Sequence, residues 1–183
     1  NRTTPVNVTG LSSGVTALQA GGVHTCVVTS AGGLKCWGRN EYGQLGDGSI
    51  AVRPTPVSVS GMGSGVTAVS AGGYHTCALS GSGKVQCWGL NSLGQLGDGT
   101  AWREAPVDVI GLTSGVSALA SGKTHACAIT SEGGLKCWGN NSSGQLGTGT
   151  LTSKNQPVNV NGLASGVTAV AGGYGQTCAV TAA

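Results

Sequence analysis

The stretch that decides the fold is residues 21–48, GGVHTCVVTSAGGLKCWGRNEYGQLGDG. It recurs as GGYHTCALSGSGKVQCWGLNSLGQLGDG at 72–99 and as SGKTHACAITSEGGLKCWGNNSSGQLGTG at 121–149. A Pro-Val pair precedes each copy and occurs a fourth time at Pro157. The 183-residue chain thus divides into about 3.6 repeats of 50–51 residues, at 1–49, 50–100, 101–150 and a partial 151–183.

Each repeat contains four short segments rich in β-branched residues, separated by Gly, Ser and Asn. In the first repeat these predicted strands are Val6–Val8, Val15–Ala20, Thr25–Thr29 and Leu34–Trp37. Glycine supplies 35 of the 183 residues, which argues against long helices because glycine destabilises a helix interior. Four strands in about 50 residues are typical of one blade of an all-β propeller.

The repeated Gly-Gly-x-His-Thr-Cys, Cys-Trp-Gly and Gly-Gln-Leu-Gly motifs resemble the repeat of the regulator of chromosome condensation family, over essentially the whole chain. The resemblance implies a seven-bladed propeller, of which this chain carries about half. We therefore expect self-association, or a parent chain that supplies the missing half. Two copies provide about seven repeats, so a ring of two chains is one arrangement to test.

The cysteines form pairs ten residues apart, on the two strands of each predicted hairpin. Directly opposed residues of an antiparallel pair lie within disulfide range. The spacing therefore predicts Cys26–Cys36, Cys77–Cys87 and Cys127–Cys137, with reduced buried cysteines as the alternative. The disulfides indicate an extracellular or periplasmic protein. Cys178 is left unpaired.

The composition disfavours several classes of function. Charged residues make up 8% of the chain and the net charge is +3, without a basic run, so we expect no nucleic-acid partner. No apolar stretch has the length of a membrane span. No catalytic motif, metal-ligand spacing or phosphate loop is visible, so we expect neither enzymatic activity nor a cofactor. His24, His75 and His125 recur in one slot, which favours a structural role.

The positions where the repeats differ are the candidates for recognition, because variable surface loops on a constant scaffold carry binding function. Tyrosine, tryptophan and arginine dominate the energetics of binding interfaces. The candidate partner-binding residues are Tyr42, Tyr74, Trp102, Arg103 and Tyr174.

The sequence thus favours a non-enzymatic, secreted binding module of bacterial type, whose variable loops contact a protein or a glycan. The alternative is a structural protein whose half-propellers assemble into rings or filaments. A nuclear exchange factor, another function that the resemblance implies, is disfavoured by the cysteine pairs, the low charge and the half length.

Overall fold

The computed structural model describes residues 3–100 and 102–182, and in that part of the chain the regular structure is all strand. No helix in the described ranges has the length and apolar character needed to cross a bilayer. The strands are β1 Val15–Ala20, β2 His24–Thr29, β3 Leu34–Gly38, β4 Arg53–Ser58, β5 Val66–Ala71, β6 His75–Ser80, β7 Val85–Gly89, β8 Arg103–Asp108, β9 Val116–Ser121, β10 His125–Thr130, β11 Leu135–Gly139, β12 Lys154–Asn159, β13 Val167–Gly172 and β14 Thr177–Thr181.

These strands form three four-stranded antiparallel sheets and one two-stranded sheet, each in chain order. We call them blade 1 (β1–β4), blade 2 (β5–β8), blade 3 (β9–β12) and the half-blade (β13–β14). The first strands of successive blades, β1, β5, β9 and β13, contact one another and form the inner edge of the array. The predicted all-β architecture of four-stranded blades is confirmed.

The blades are out of phase with the repeats read from the sequence. Each later Pro-Val segment lies in the outer strand of the preceding blade, so that Val57 pairs with Cys36 and Val158 with Cys137. The predicted strand Val6–Val8 is wrong: its backbone is irregular, and the Val6 side chain is 58% exposed. In the described chain no Cys-Trp-Gly strand precedes these residues, and a strand needs a partner for its backbone groups.

The hydrophobic core lies between neighbouring blades. Cys26, Leu34 and Leu45 of blade 1 pack against Val66 and Trp88 of blade 2. The next interface repeats this arrangement with the corresponding residues of blades 2 and 3, including Trp138. Each blade is therefore stabilised by its neighbour, as expected for a repeat too small to bury both of its faces alone.

The Gly-Gln-Leu-Gly loops contribute to the same interfaces. The last glycine of the first loop, Gly46, has φ +70°, and a Cβ there would lie 2.6 Å from Nε1 of Trp88. Gly97 has φ +69°, and its Cβ would lie 3.0 Å from Nε1 of Trp138. Glycine is required at both positions, for the positive φ and for the close approach of the indole.

Candidate partner-binding face

One end of the blade array carries all the predicted contact residues. Gly38 lies opposite both His24 and Arg53, and Ala20 lies opposite Thr25. The ends of β1 and β3 and the starts of β2 and β4 therefore meet at one end of the blade, and blades 2 and 3 repeat this arrangement. We call this end the loop face. The loops and strand starts on it hold Tyr42, Tyr74, Trp102, Arg103 and Tyr174.

The centre of the loop face is a cavity of about 440 Å³ built on the glycine turns between the first and second strands. Successive turns are linked through their backbones: Gly22 N donates to Gly72 O, Gly73 N to Lys123 O and Lys123 N to Gly173 O, each at 3.0 Å. These bonds hold the turns side by side from blade 1 to the half-blade. Backbone thus forms much of the wall, and the side chains that differ between repeats stand around it.

Three of the predicted residues lie at this cavity. Tyr74 and Tyr174 line it, and Tyr42 packs edge-on against Tyr74 with ring centroids 5.5 Å apart. Lys123, which the sequence-based selection missed, also lines the cavity. Its Nζ lies 4.1 Å from the centre of the Tyr174 ring and donates to the phenol oxygen at 2.6 Å. The sequence does distinguish Lys123, because the corresponding positions of the first two repeats are Gly22 and Gly73.

Trp102 and Arg103 line a different depression of the loop face, together with Gly48 and Glu104. The Trp102 side chain is 45% exposed. Arg103 forms an ion pair with Asp98, with 3.2 Å between Nε and Oδ2. The structure therefore divides the five predicted residues into a central aromatic group and an outer pair. Their role in binding remains a prediction.

Aspartates and asparagines fix the backbone of the loops. Asp47 accepts hydrogen bonds from Ser49 N and from Arg53 Nε. Burial raises the pKa of Asp47, but the hydrogen bonds from Ser49 and Arg53 outweigh it and hold the pKa below its usual value. Asn40 accepts from Leu45 N and donates to Ser49 O, both at 2.9 Å. The loops thus present their variable side chains from a fixed backbone.

The repeated histidines form buried links between blades. His24 Nε2 lies 2.7 Å from the Thr76 hydroxyl, which donates to Gln44 O at 2.8 Å. Since that hydroxyl proton is used, Nε2 of His24 is the donor in this hydrogen bond. Burial lowers the pKa of His24 to about 4 and that of His75 to about 3. In the part of the chain described, no cluster of three metal-ligating side chains occurs. His24 and His125 each form a hydrogen bond with a threonine of the neighbouring sheet.

The middle interface lacks this link, because Ala126 stands where the flanking interfaces have Thr76 and Thr177. His75 is fully buried, and neither of its ring nitrogens has a hydrogen-bond partner among the described residues. We predict that Ala126→Thr raises the free energy of unfolding by about 1 kcal/mol, because the hydroxyl supplies the missing acceptor. Urea unfolding monitored by tryptophan fluorescence measures the change.

The matched control for this prediction is Ala126→Val, which has nearly the shape of threonine but no hydroxyl. The valine variant should not gain stability, since it leaves His75 unpartnered in a buried site. Equal stabilisation by threonine and valine would show that packing, rather than the hydrogen bond, limits this interface.

The three cysteine pairs predicted from the spacing are disulfides in the structure, each with Cα atoms 4.1 Å apart. Cys26 pairs with Cys36, Cys77 with Cys87 and Cys127 with Cys137. They cross-link the second and third strands of each blade within the buried interfaces. Cys178 on β14 is a free thiol and is exposed.

Comparison with known proteins agrees with this architecture. The regulator of chromosome condensation (RCC1) repeat model matches residues 32–79, 82–129 and 132–180. The chain is 43% identical over 77 residues to the zebrafish (Danio rerio) protein RCC2 homolog, covering 42% of this chain and 16% of that protein. It is 38% identical over 89 residues to the Arabidopsis thaliana ultraviolet-B receptor UVR8, covering 48% and 20% respectively.

Solved structures give the same result for the fold. Human WBSCR16 superposes with a TM-score of 0.79 at 29% identity, over 91% of this chain and 44% of that one. Yeast RCC1 (Prp20), solved bound to Kap60, gives 0.81 at 23% identity over 97% and 44%. The chain thus spans less than half the length of each of these relatives. It belongs to the RCC1 repeat family, and its described residues form three complete four-stranded blades and half of a fourth.

Proposed function

We propose that this chain is a secreted, non-enzymatic binding module whose partner docks on the loop face. The observation that carries the proposal is the central cavity, where Tyr74, Lys123 and Tyr174 stand on a floor of hydrogen-bonded glycine turns. Tyr174 is exposed, Tyr74 and Lys123 are half-buried, and tyrosine is among the residue types enriched at binding hot spots. The three disulfides support an extracellular location, since such bonds persist in oxidising compartments.

A protein is the partner class that the loop face fits best. The aromatic side chains lie at two separate sites, the central cavity and the depression at Trp102, so the partner must cover a broad surface. Arg103 pairs with Asp98 at the depression, and Arg39 pairs with Glu41 in the loop that carries Tyr42. A small glycan would engage the central cavity alone, and binding that depends only on Tyr74 and Tyr174 would favour it.

The double variant Tyr74→Ala/Tyr174→Ala tests the proposal. A photo-reactive amino acid at position 174 should cross-link the partner in culture medium of the source organism, and the purified partner is then titrated. We predict that the double variant binds at least about tenfold more weakly, measured by calorimetry. Glu132→Ala, in the turn at the opposite end of blade 3, is the control and should bind as the unmodified chain does. Equal losses in both variants would contradict a loop-face site.

Assembly of several copies is the second candidate function, and a specific observation favours it. The Trp37 indole is only half-buried, whereas Trp88 and Trp138 are fully buried. Trp37 therefore presents apolar surface at the first blade that a further blade can cover. Sedimentation equilibrium over a range of concentrations tests this candidate, and a mass of 17.8 kDa at all micromolar concentrations would exclude it.

A further inference from the structure

We propose that the depression at Trp102 binds an arginine side chain of the protein partner, and that the Trp102 indole and the Glu104 carboxylate recognise its guanidinium. The inference rests on the loop-face function proposed above and names the chemistry of one group that the partner presents there. The depression lies at the junction of blades 1 and 2, both of which are complete four-stranded sheets.

The backbone beneath the depression is fixed by the loop of blade 1. Gly48 N donates to Glu104 O at 3.1 Å, and a Cβ on Gly43 would lie 2.5 Å from Glu104 Cα. The next junction repeats this contact, since Gly99 N donates to Asn155 O at 3.2 Å. The outer strands β8 and β12 are thus held against the preceding loop in the same way.

The side chains on this common scaffold differ between the blades. Blade 2 carries Trp102 and Glu104, whereas the corresponding positions of blade 3 are Ser153 and Asn155. The correspondence follows from the register, because the residue between each pair lies opposite the glycine of a Cys-Trp-Gly strand. The same backbone accommodates a neutral pair, so the indole and the carboxylate are variable groups of the kind that carry recognition.

The charges at the depression leave one carboxylate without a counter-ion. The Arg103 guanidinium is paired with Asp98, so these two charges neutralise each other. Glu104 is half-buried and takes part in none of the ion pairs among the described residues. The depression therefore carries the single negative charge of Glu104 beside an exposed indole, and it is complementary to a cation.

An arginine side chain fits this combination of an aromatic surface and a carboxylate. A cation over the face of an indole is attracted by the quadrupole of the ring, and tryptophan is the best of the aromatic residues in this role. The guanidinium is planar, weakly hydrated and able to donate two parallel hydrogen bonds to a carboxylate. The depression has a volume of about 460 Å³ and is also lined by Pro106 and Val107, which offer apolar contact to the stem of the side chain.

The probe is a capped arginine, Nα-acetyl-arginine methylamide, titrated into the ¹⁵N-labelled chain. The backbone amide of Gly48 and the indole N–H of Trp102, both from residues that line the depression, report binding by nuclear magnetic resonance. The citrulline analogue has nearly the same shape without the charge, and the lysine analogue has the charge without the planar group. We expect the arginine analogue to bind at least about fivefold more tightly than either.

Two variants test the recognition groups. Glu104→Gln should weaken binding of the arginine analogue at least about fivefold. Glu132→Gln makes the same change of charge in the exposed turn at the opposite end of blade 3 and should leave the affinity unchanged. The double variant Trp102→Ser/Glu104→Asn copies blade 3, so its backbone contact with the loop of blade 1 should persist while the response of the Gly48 amide is lost.

Equal affinity for the arginine and citrulline analogues, or an unchanged affinity in Glu104→Gln, would overturn the proposal. Equal affinity for the lysine analogue would overturn the assignment to a guanidinium. Tyr74→Ala/Tyr174→Ala, which tests the loop-face function at the central cavity, should bind the arginine analogue as the unmodified chain does. The titration therefore judges the arginine site, whereas cross-linking at position 174 judges the loop-face function.

Discussion

Replacing Trp88 or Trp138 with alanine should lower the free energy of unfolding by about 3–5 kcal/mol, the range for truncating a large buried aromatic side chain. Both indoles are fully buried. Each also donates its Nε1–H to a backbone oxygen of the preceding blade. Truncation of Trp138 removes the indole donor of Gln95 O, whereas Gln44 O keeps its hydrogen bond from the Thr76 hydroxyl when Trp88 is truncated. Because neighbouring blades share these interfaces, the loss should appear as reduced cooperativity between blades.

Trp37→Ala is the matched control, since Trp37 occupies the same slot of the repeat. It should lose less than half as much stability, because its indole is half-buried and the described chain has no blade before it. Guanidinium unfolding monitored by far-ultraviolet circular dichroism measures all three variants. Equal losses would mean that the tryptophan acts within its own blade rather than between blades.

The short-range features of the fold could be predicted from the sequence. β1 begins and ends where the pattern places it, and β2 and β3 are each one residue longer than predicted. The disulfides follow from the hairpin that places Cys26 opposite Cys36. These features depend on strand period and turn residues, which a sequence displays directly.

The outer strands could not be predicted from pattern alone. Residues 5–8 and 157–160 share the sequence Pro-Val-Asn-Val. Residues 157–159 of the second copy lie in β12, where Val158 pairs with Cys137. The first copy forms no strand. Local propensity is the same in both places, so the difference is the neighbouring strand. Strand formation here is set by tertiary context.

For the candidate site, the sequence indicated which residues lie in the variable loops but not which of them touch. Tyr42, Tyr74 and Tyr174 were selected because their positions differ between repeats, and all three lie on the loop face. Corresponding positions of the repeats lie at the same end of each blade. The ring contact between Tyr42 and Tyr74 depends on distances between blades, which the sequence does not display. Lys123 was missed because the selection favoured aromatic residues and arginine, although its slot changes from glycine to lysine.

Mild acid should destabilise this protein through its buried histidines. His24 and His75 are neutral in the fold, since burial lowers their pKa values to about 4 and about 3. An unfolded histidine has a pKa of about 6.5. Between these values the unfolded chain binds more protons, so stability falls as the pH falls. At pH 5 each of the two contributes a loss of about 2 kcal/mol relative to neutral pH.

Burial also lowers the pKa of His125, and the charges of His24 and His125 oppose protonation of His75. The loss should therefore begin near pH 6.5 and be steepest near about pH 5, midway between the unfolded and folded pKa values. The ion-paired carboxylates of Asp47 and Asp98 have lowered pKa values, so their stabilisation is lost only in more acidic solution. A loss of stability observed above pH 4.5 is therefore assigned to the histidines.

Urea unfolding at pH 7, 6 and 5 measures this dependence, and the chain itself provides the control residue. Gln176 occupies the histidine slot of the half-blade and does not titrate. The triple variant His24→Gln/His75→Gln/His125→Gln should therefore lose little stability between pH 7 and pH 5, whatever its stability at pH 7. A stability of the unmodified chain that stays level over this range would refute the prediction. A pH dependence that persists in the triple variant would assign the effect to other groups.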